Sequence, residues 1–173
     1  WRRSKREVDS LFNLMTKSIK RYSDQIHKTN VRLLHMGLSD GLPAEVAGDI
    51  QKCVELTRNN TAMDVCIALN YGGRRELTDA ARKIARQVQQ GELRPEDITE
   101  ETLAAHLYLP GHSEVDLLIR TSGENRISNF MLWQISYAEI VVTPTLWPDF
   151  NRDRLHETLV EYQSRNRRFG GRP

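Results

Sequence analysis

Apolar residues recur at steps of three and four over the first stretch of the chain: Val8, Leu11, Phe12, Met15, Ile19, Tyr22 and Ile26. This spacing puts them on one side of a long amphipathic helix. The pattern then changes. NVRLLHMG (30–37) reads as a short strand, and SDGLP closes it with a turn around Gly41 and Pro43. Pro43 suits the first turn of a helix through AEVAGDIQKCVELTRN, where its missing N–H would have no partner anyway. MDVCIALNYGG is nearly continuous apolar sequence ending in glycines, as in a parallel strand buried on both faces. Two helices follow, RRELTDAARKIARQVQQG ended by Gly91, and TEETLAAHLY with Thr99 and Thr102 as alternative caps. VDLLIRTS and AEIVVTPT read as two more buried strands, and a last helix starts near Asp149 or Asn151 and runs to about Arg167.

Strands alternating with helices predict an α/β fold. The expected architecture is a single layered domain over residues 1–173, with a largely parallel central β-sheet flanked by helices. In such sheets ligands bind beyond the carboxyl ends of the strands. Three segments stand at ends of that kind: NYGGRRE, RTSGENRIS and TPTLWPDF.

Composition narrows the function only a little. With 173 residues, 39 % hydrophobic and 28 % charged, the chain is an ordinary globular protein with a sizeable core. A net charge of +2 demands no nucleic-acid partner, and the dense basic run RNRRFGGRP reads as a helix end fraying into a tail. The two cysteines, Cys53 and Cys66, make no disulfide framework, which favours a reducing compartment; Cys66, inside an apolar run, reads as a small core residue. The five histidines show no zinc spacing, and no apolar run approaches the length of a membrane span. Neither a Walker pattern, a dinucleotide fingerprint nor a G-x-S-x-G elbow is present. The chain opens on Trp1 rather than Met, so sequence upstream of it, including any targeting peptide, is expected to be missing.

The candidate chemistry lies in RTSGENRIS. Arg120 closes a strand and Arg126 follows past a flexible Ser-Gly pair. Each guanidinium offers a rigid fork of donors that matches phosphate oxygens, Ser128 adds a hydroxyl, and turn amides can form an anion nest. Two such cations suit a diphosphate. The same arginines could instead pair locally with Asp116 and Glu124, and the sequence does not separate the two. The apolar run NFMLWQISYAEI that follows does not separate them either, since a helix packed on a sheet looks the same. Glu139, between that run and a strand, is a candidate Mg²⁺ ligand; taken alone, an ordinary solvated or salt-bridged glutamate describes it better.

DLLIRTSGENRISNFMLWQISYAEI, with LWPDF and RRFGG after it and LNYGGRRE and the initial Trp-Arg-Arg before it, resembles the cis-prenyltransferases of the undecaprenyl diphosphate synthase type. The resemblance covers essentially the whole chain. It implies a domain enclosing an apolar substrate cavity, for which the first helix is a candidate wall. It also implies condensation of isopentenyl diphosphate with an allylic prenyl diphosphate, giving a longer (Z)-polyprenyl diphosphate. Carried over by position, Arg120, Arg126, Ile127 and Ser128 are implied to bind isopentenyl diphosphate, with Trp1 and Arg3 bordering the substrate site. Glu139 is implied to be the Mg²⁺-linked glutamate, contributed near the interface of a homodimer. The family's metal-binding aspartate and proton-removing asparagine would lie upstream of Trp1, so no catalytic residue is expected in residues 1–173 and this stretch is expected to be inactive alone. Asn125 stands where many members have histidine, which weakens any second protein ligand to the metal.

The same resemblance implies a cytoplasmic enzyme with no nucleic-acid partner, touching membranes peripherally through its lipid product. An alternative from the same family is a non-catalytic subunit of a heteromeric enzyme, although such relatives typically lose parts of the Arg/Arg/Ser set retained here. For the dimer surface, Phe130, Met131, Leu132, Trp133, Ile135 and Tyr137 exceed what one buried helix face can use. The tail with Arg167, Arg168, Phe169, Gly170 and Gly171 is expected to reach toward a partner's diphosphate.

Overall fold

The structure, a computed structural model, describes residues 4–112 and 114–165. Trp1, Arg3 and the tail residues Arg167 to Gly171 lie outside them. The described strands pair in parallel and carry helices around them, so the α/β class holds. They hydrogen-bond as two separate two-stranded sheets, and the chain divides into two compact units, Trp1–Tyr71 and Gly72–Pro173.

The first unit runs α1 (Lys5–Lys28), β1 (Val31–Met36), α2 (Ala44–Thr57) and β2 (Met63–Ala68). Helix α1 starts in a capping box: the Ser4 hydroxyl accepts the Glu7 amide, and the Glu7 carboxylate accepts the Ser4 amide at 3.0 Å. Its stripe meets the core only in part. Ile19 is buried beside Leu33, Val46, Ile50 and Cys53, with Phe12 and Met15 packed against them, whereas Leu11 and Leu14 stay 48 % and 62 % exposed. The buried Thr57 hydroxyl joins the layers, accepting the Leu33 amide at 2.9 Å and donating to the Cys53 carbonyl at 2.8 Å.

Strand β2 corrects one expectation. It pairs with β1 on one side, and its side chains are not buried on both faces: Met63, Val65 and Cys66 are exposed. The continuous apolar run belongs to one of the two edge strands of a two-stranded sheet; Cys66 is a surface thiol and Cys53 is the buried one.

The second unit runs α3 (Gly73–Gln89), α4 (Glu100–Ala105), β3 (Leu117–Arg120), β4 (Glu139–Val142) and α5 (Arg152–Gln163). Thr99 caps α4 and Thr102 completes its box, so the two alternative caps act together. Helix α5 is capped by Asn151, whose side chain accepts the Asp153 and Arg154 amides at 3.1 Å, and it ends at Gln163, short of the expected Arg167. Helix α3 buries Gly73, Glu76, Ala80 and Ile84, positions one turn apart along one face. The Glu76 carboxylate is 1 % exposed and accepts the Tyr108 amide and the Gln134 side-chain amide, each at 3.0 Å. Between β3 and β4, the run NFMLWQISYAEI is a series of turns rather than a helix. Ser128, Asn129 and Met131 have φ of 48°, 64° and 46°, left-handed conformations that an α-helix cannot contain.

Candidate active site

Strands β3 and β4 align Leu118 with Ile140 and Arg120 with Val142. Because side chains alternate along a strand, these four share one face. That face floors a cleft of about 530 Å³, walled by Glu124, Asn125, Arg126, Ile127 and Ser128. The cleft is thus apolar below and cationic at its rim. Four of the expected substrate ligands, Arg120, Arg126, Ile127 and Ser128, meet in it.

Arg120 and Arg126 are held differently. The Nε of Arg120 is buried and has no hydrogen-bond partner among the described residues. An orphaned buried donor costs about 1–3 kcal/mol, so such groups are rare without a reason. The Arg126 guanidinium, 68 % exposed, forms an ion pair with Glu124, though without hydrogen-bond angles at the Oε2 that it contacts. The local-pairing alternative therefore describes Arg126.

The turn after β3 is fixed by backbone bonds. The amides of Ser122 and Gly123, both left-handed at φ of 67° and 66°, donate to the carbonyls of Thr145 and Thr143 at 2.9 Å. Those two amides are therefore not available for the anion nest expected in this turn; side chains supply the donors there.

Glu139 is elsewhere. One residue out of phase with Ile140, it projects from the opposite face of the β3–β4 pair, where the Arg165 guanidinium donates to its Oε2 at 3.0 Å. Arg165 also donates to the Ile140 carbonyl at 2.9 Å and to Glu161 at 2.5 Å. Its bonds to Glu161 first and Glu139 second push this guanidinium further above its ordinary range. Among the described residues no three His, Cys, Asp or Glu side chains gather into a metal site. Glu139 offers a single carboxylate there, and Arg165 occupies it.

Several contributors escape a sequence reading. Asn129 accepts the Gly73 amide through its carbonyl at 2.8 Å and the Arg74 amide through Oδ1 at 2.9 Å. Gln134 ties the same loop to Glu76. The one legible signal was a helix starting on two glycines with no Ser, Thr, Asp or Asn as its own cap. Of the expected dimer-surface residues only Tyr137 is largely exposed, at 72 %; Ile135 is buried and the others are half-buried. Leu146 and Trp147 are also exposed, at 56 % and 73 %.

The prenyltransferase family model described as undecaprenyl diphosphate synthase matches residues 1–170. An isoprenyl transferase of Shouchella clausii is 46 % identical over 171 residues, covering 99 % of this chain and 66 % of that protein. A ditrans,polycis-undecaprenyl-diphosphate synthase ((2E,6E)-farnesyl-diphosphate specific) of Pasteurella multocida is 43 % identical, covering 99 % of this chain and 71 % of its own. The crystal structure of lavandulyl diphosphate synthase from Lavandula x intermedia, in complex with dimethylallyl diphosphate, superposes with a TM-score of 0.95 at 37 % identity, over 98 % of this chain and 73 % of that one. The chain spans about two thirds of the length of the curated relatives it matches, 66 % for the isoprenyl transferase of Shouchella clausii.

Proposed function

The chain belongs to the undecaprenyl diphosphate synthase family of prenyltransferases, and from that premise we propose that it takes part in cis-prenyl chain elongation, condensing isopentenyl diphosphate with an allylic prenyl diphosphate. The observation that carries the proposal is the orphaned Nε of Arg120 in a cleft with an apolar floor. The Arg120 side chain lines that cleft, so its guanidinium is placed to meet a diphosphate, and Leu118, Ile140 and Val142 accept the carbon skeleton. Arg126, with its guanidinium 68 % exposed, reaches the same diphosphate by giving up Glu124. Ile127 and Ser128 complete the contact in this proposal.

In the reaction, the alkene electrons of isopentenyl diphosphate form a bond to the first carbon of the allylic substrate. The allylic C–O bond breaks, its electron pair leaves with the diphosphate, and a proton is then lost from the new chain. The contribution of this cleft is to hold the nucleophilic substrate still and to keep water from the developing cation. Mg²⁺, when bound, supplies positive charge to a diphosphate, and Glu139 is the carboxylate that would hold it, on release from Arg165. Because Glu139 and Arg120 occupy opposite faces of one strand pair, a homodimer is the arrangement in which Glu139 would serve a second copy's cleft. No described helix is long and apolar enough to cross a membrane, and the proposed setting is the cytoplasm, with membrane contact through the lipid product.

The full-length protein, incubated with radiolabelled isopentenyl diphosphate, farnesyl diphosphate and Mg²⁺, should yield a longer prenyl diphosphate whose new double bonds are Z by NMR. No incorporation, or new bonds that are E, would refute the proposal.

A further inference from the structure

Helix α3 begins without a cap of its own. Its N-cap position is Gly72, which has no side chain, yet the amides of Gly73 and Arg74 are both bonded, to the carbonyl and the Oδ1 of Asn129. The first amides of a helix have no partner within it. Here they are satisfied by a loop more than fifty positions further along the chain.

The glycines are fitted to that contact. A Cβ on Gly72 would stand 2.8 Å from the Asn129 Nδ2, and one on Gly73 would stand 2.7 Å from the Leu132 Cγ and 3.0 Å from its amide nitrogen. Asn129 is left-handed, as is Ser128 before it; asparagine tolerates this conformation better than most residues. Gly72 and Gly73 thus receive the loop that carries Arg126 and Ser128. A second tie lies beyond Met131, where Gln134 donates to the buried Glu76 of the same helix.

We propose that Asn129 is a positioning residue: by occupying the first amides of α3 it holds Arg126 and Ser128 where they meet the diphosphate of isopentenyl diphosphate. This inference rests on the proposed role of the β3–β4 cleft. The loop has no helix or strand of its own to order it, so without the tie the substrate would have to freeze it on binding, at a cost in affinity. The effect falls on one substrate, because the loop walls one cleft.

The test uses the full-length enzyme. Asn129→Gly deletes Oδ1 and leaves the left-handed backbone unstrained. Its KM for isopentenyl diphosphate should rise roughly three- to tenfold, the effect of one hydrogen bond, with the allylic KM within twofold. Hydrogen exchange at the Arg74 amide, measured without substrate, should accelerate. Gly72→Ala, whose Cβ displaces the same carboxamide, should shift both readouts in the same direction, and it decides the matter if Asn129→Gly does not fold. An unchanged isopentenyl diphosphate KM, or equal rises for both substrates, overturns the positioning role. Arg120→Met serves as the control: if it raises that KM while the Asn129 and Gly72 variants do not, the cleft assignment stands and the inference alone fails. If none of the three changes the KM, both fall.

Discussion

Replacing Arg120 by methionine should weaken substrate binding and strengthen the fold at the same time. Methionine keeps much of the aliphatic stem and removes a buried Nε that has no partner. Relief of such an orphan is worth up to about 1–3 kcal/mol. For a chain of this size each kcal/mol recovered raises Tm by about 2–4 °C. The loss on the functional side is a charge-assisted contact of about 1.5–3 kcal/mol, or roughly ten- to a hundredfold in the KM for isopentenyl diphosphate. Arg126→Ala provides the contrast. Its guanidinium is 68 % exposed and already paired with Glu124, so its Tm should stay put and its KM should rise less. Differential scanning calorimetry beside steady-state kinetics reads both quantities on the same preparations. A lower Tm with an unchanged KM in Arg120→Met would make Arg120 a structural residue and refute the reasoning.

Glu139→Gln should move the Mg²⁺ titration of activity to higher concentration, since the amide lacks the charge a hard cation prefers; superimposable curves would leave Glu139 as the partner of Arg165 alone. Tyr108 is pushed up to about 12 from 10.0, by burial first and then by its bond to Asp79. Its folded pKa exceeds its unfolded one, so its contribution is complete below pH 10 and lost as pH rises through about 12. Urea melts should therefore show the stability gap between wild type and Tyr108→Phe closing over that window, and parallel curves would contradict the assignment. Gly73→Ala, driven against Leu132, should cost roughly 1–3 kcal/mol by overpacking, measured as a lower Tm; an unaltered melt would mean the loop does not lie against α3.

The parts of the site legible in the sequence are those tied to a strand end. Arg120 was locatable because an apolar run, half-buried in the fold, stops at it, and Arg126 and Ser128 because they follow within one short loop. The face of Glu139 was not legible. It depends on which residue of β4 aligns with Leu117, a register set by hydrogen bonds between distant segments. The turns at 128–137 were hidden for another reason: left-handed Ser128, Asn129 and Met131 carry no compositional mark, as glycine would. An outer strand such as β2 has the same apolar letters as a central one, so its exposure was illegible too. Asn129 at the start of α3 is a contact between remote positions, which periodicity cannot register.

The alternation along β3 and β4 also limits how this region can vary in length. Each strand has four residues, and one residue separates the cleft side from the Arg165 side. A single inserted or deleted residue before Arg120 would exchange the two sides, turning Ile119 toward the cleft and Arg120 toward the Arg165 side. A change of two residues would preserve the parity and merely shift the strand along its neighbour. Drift in loop length is thus filtered by whether it is odd or even, a constraint that no property of the individual side chains imposes.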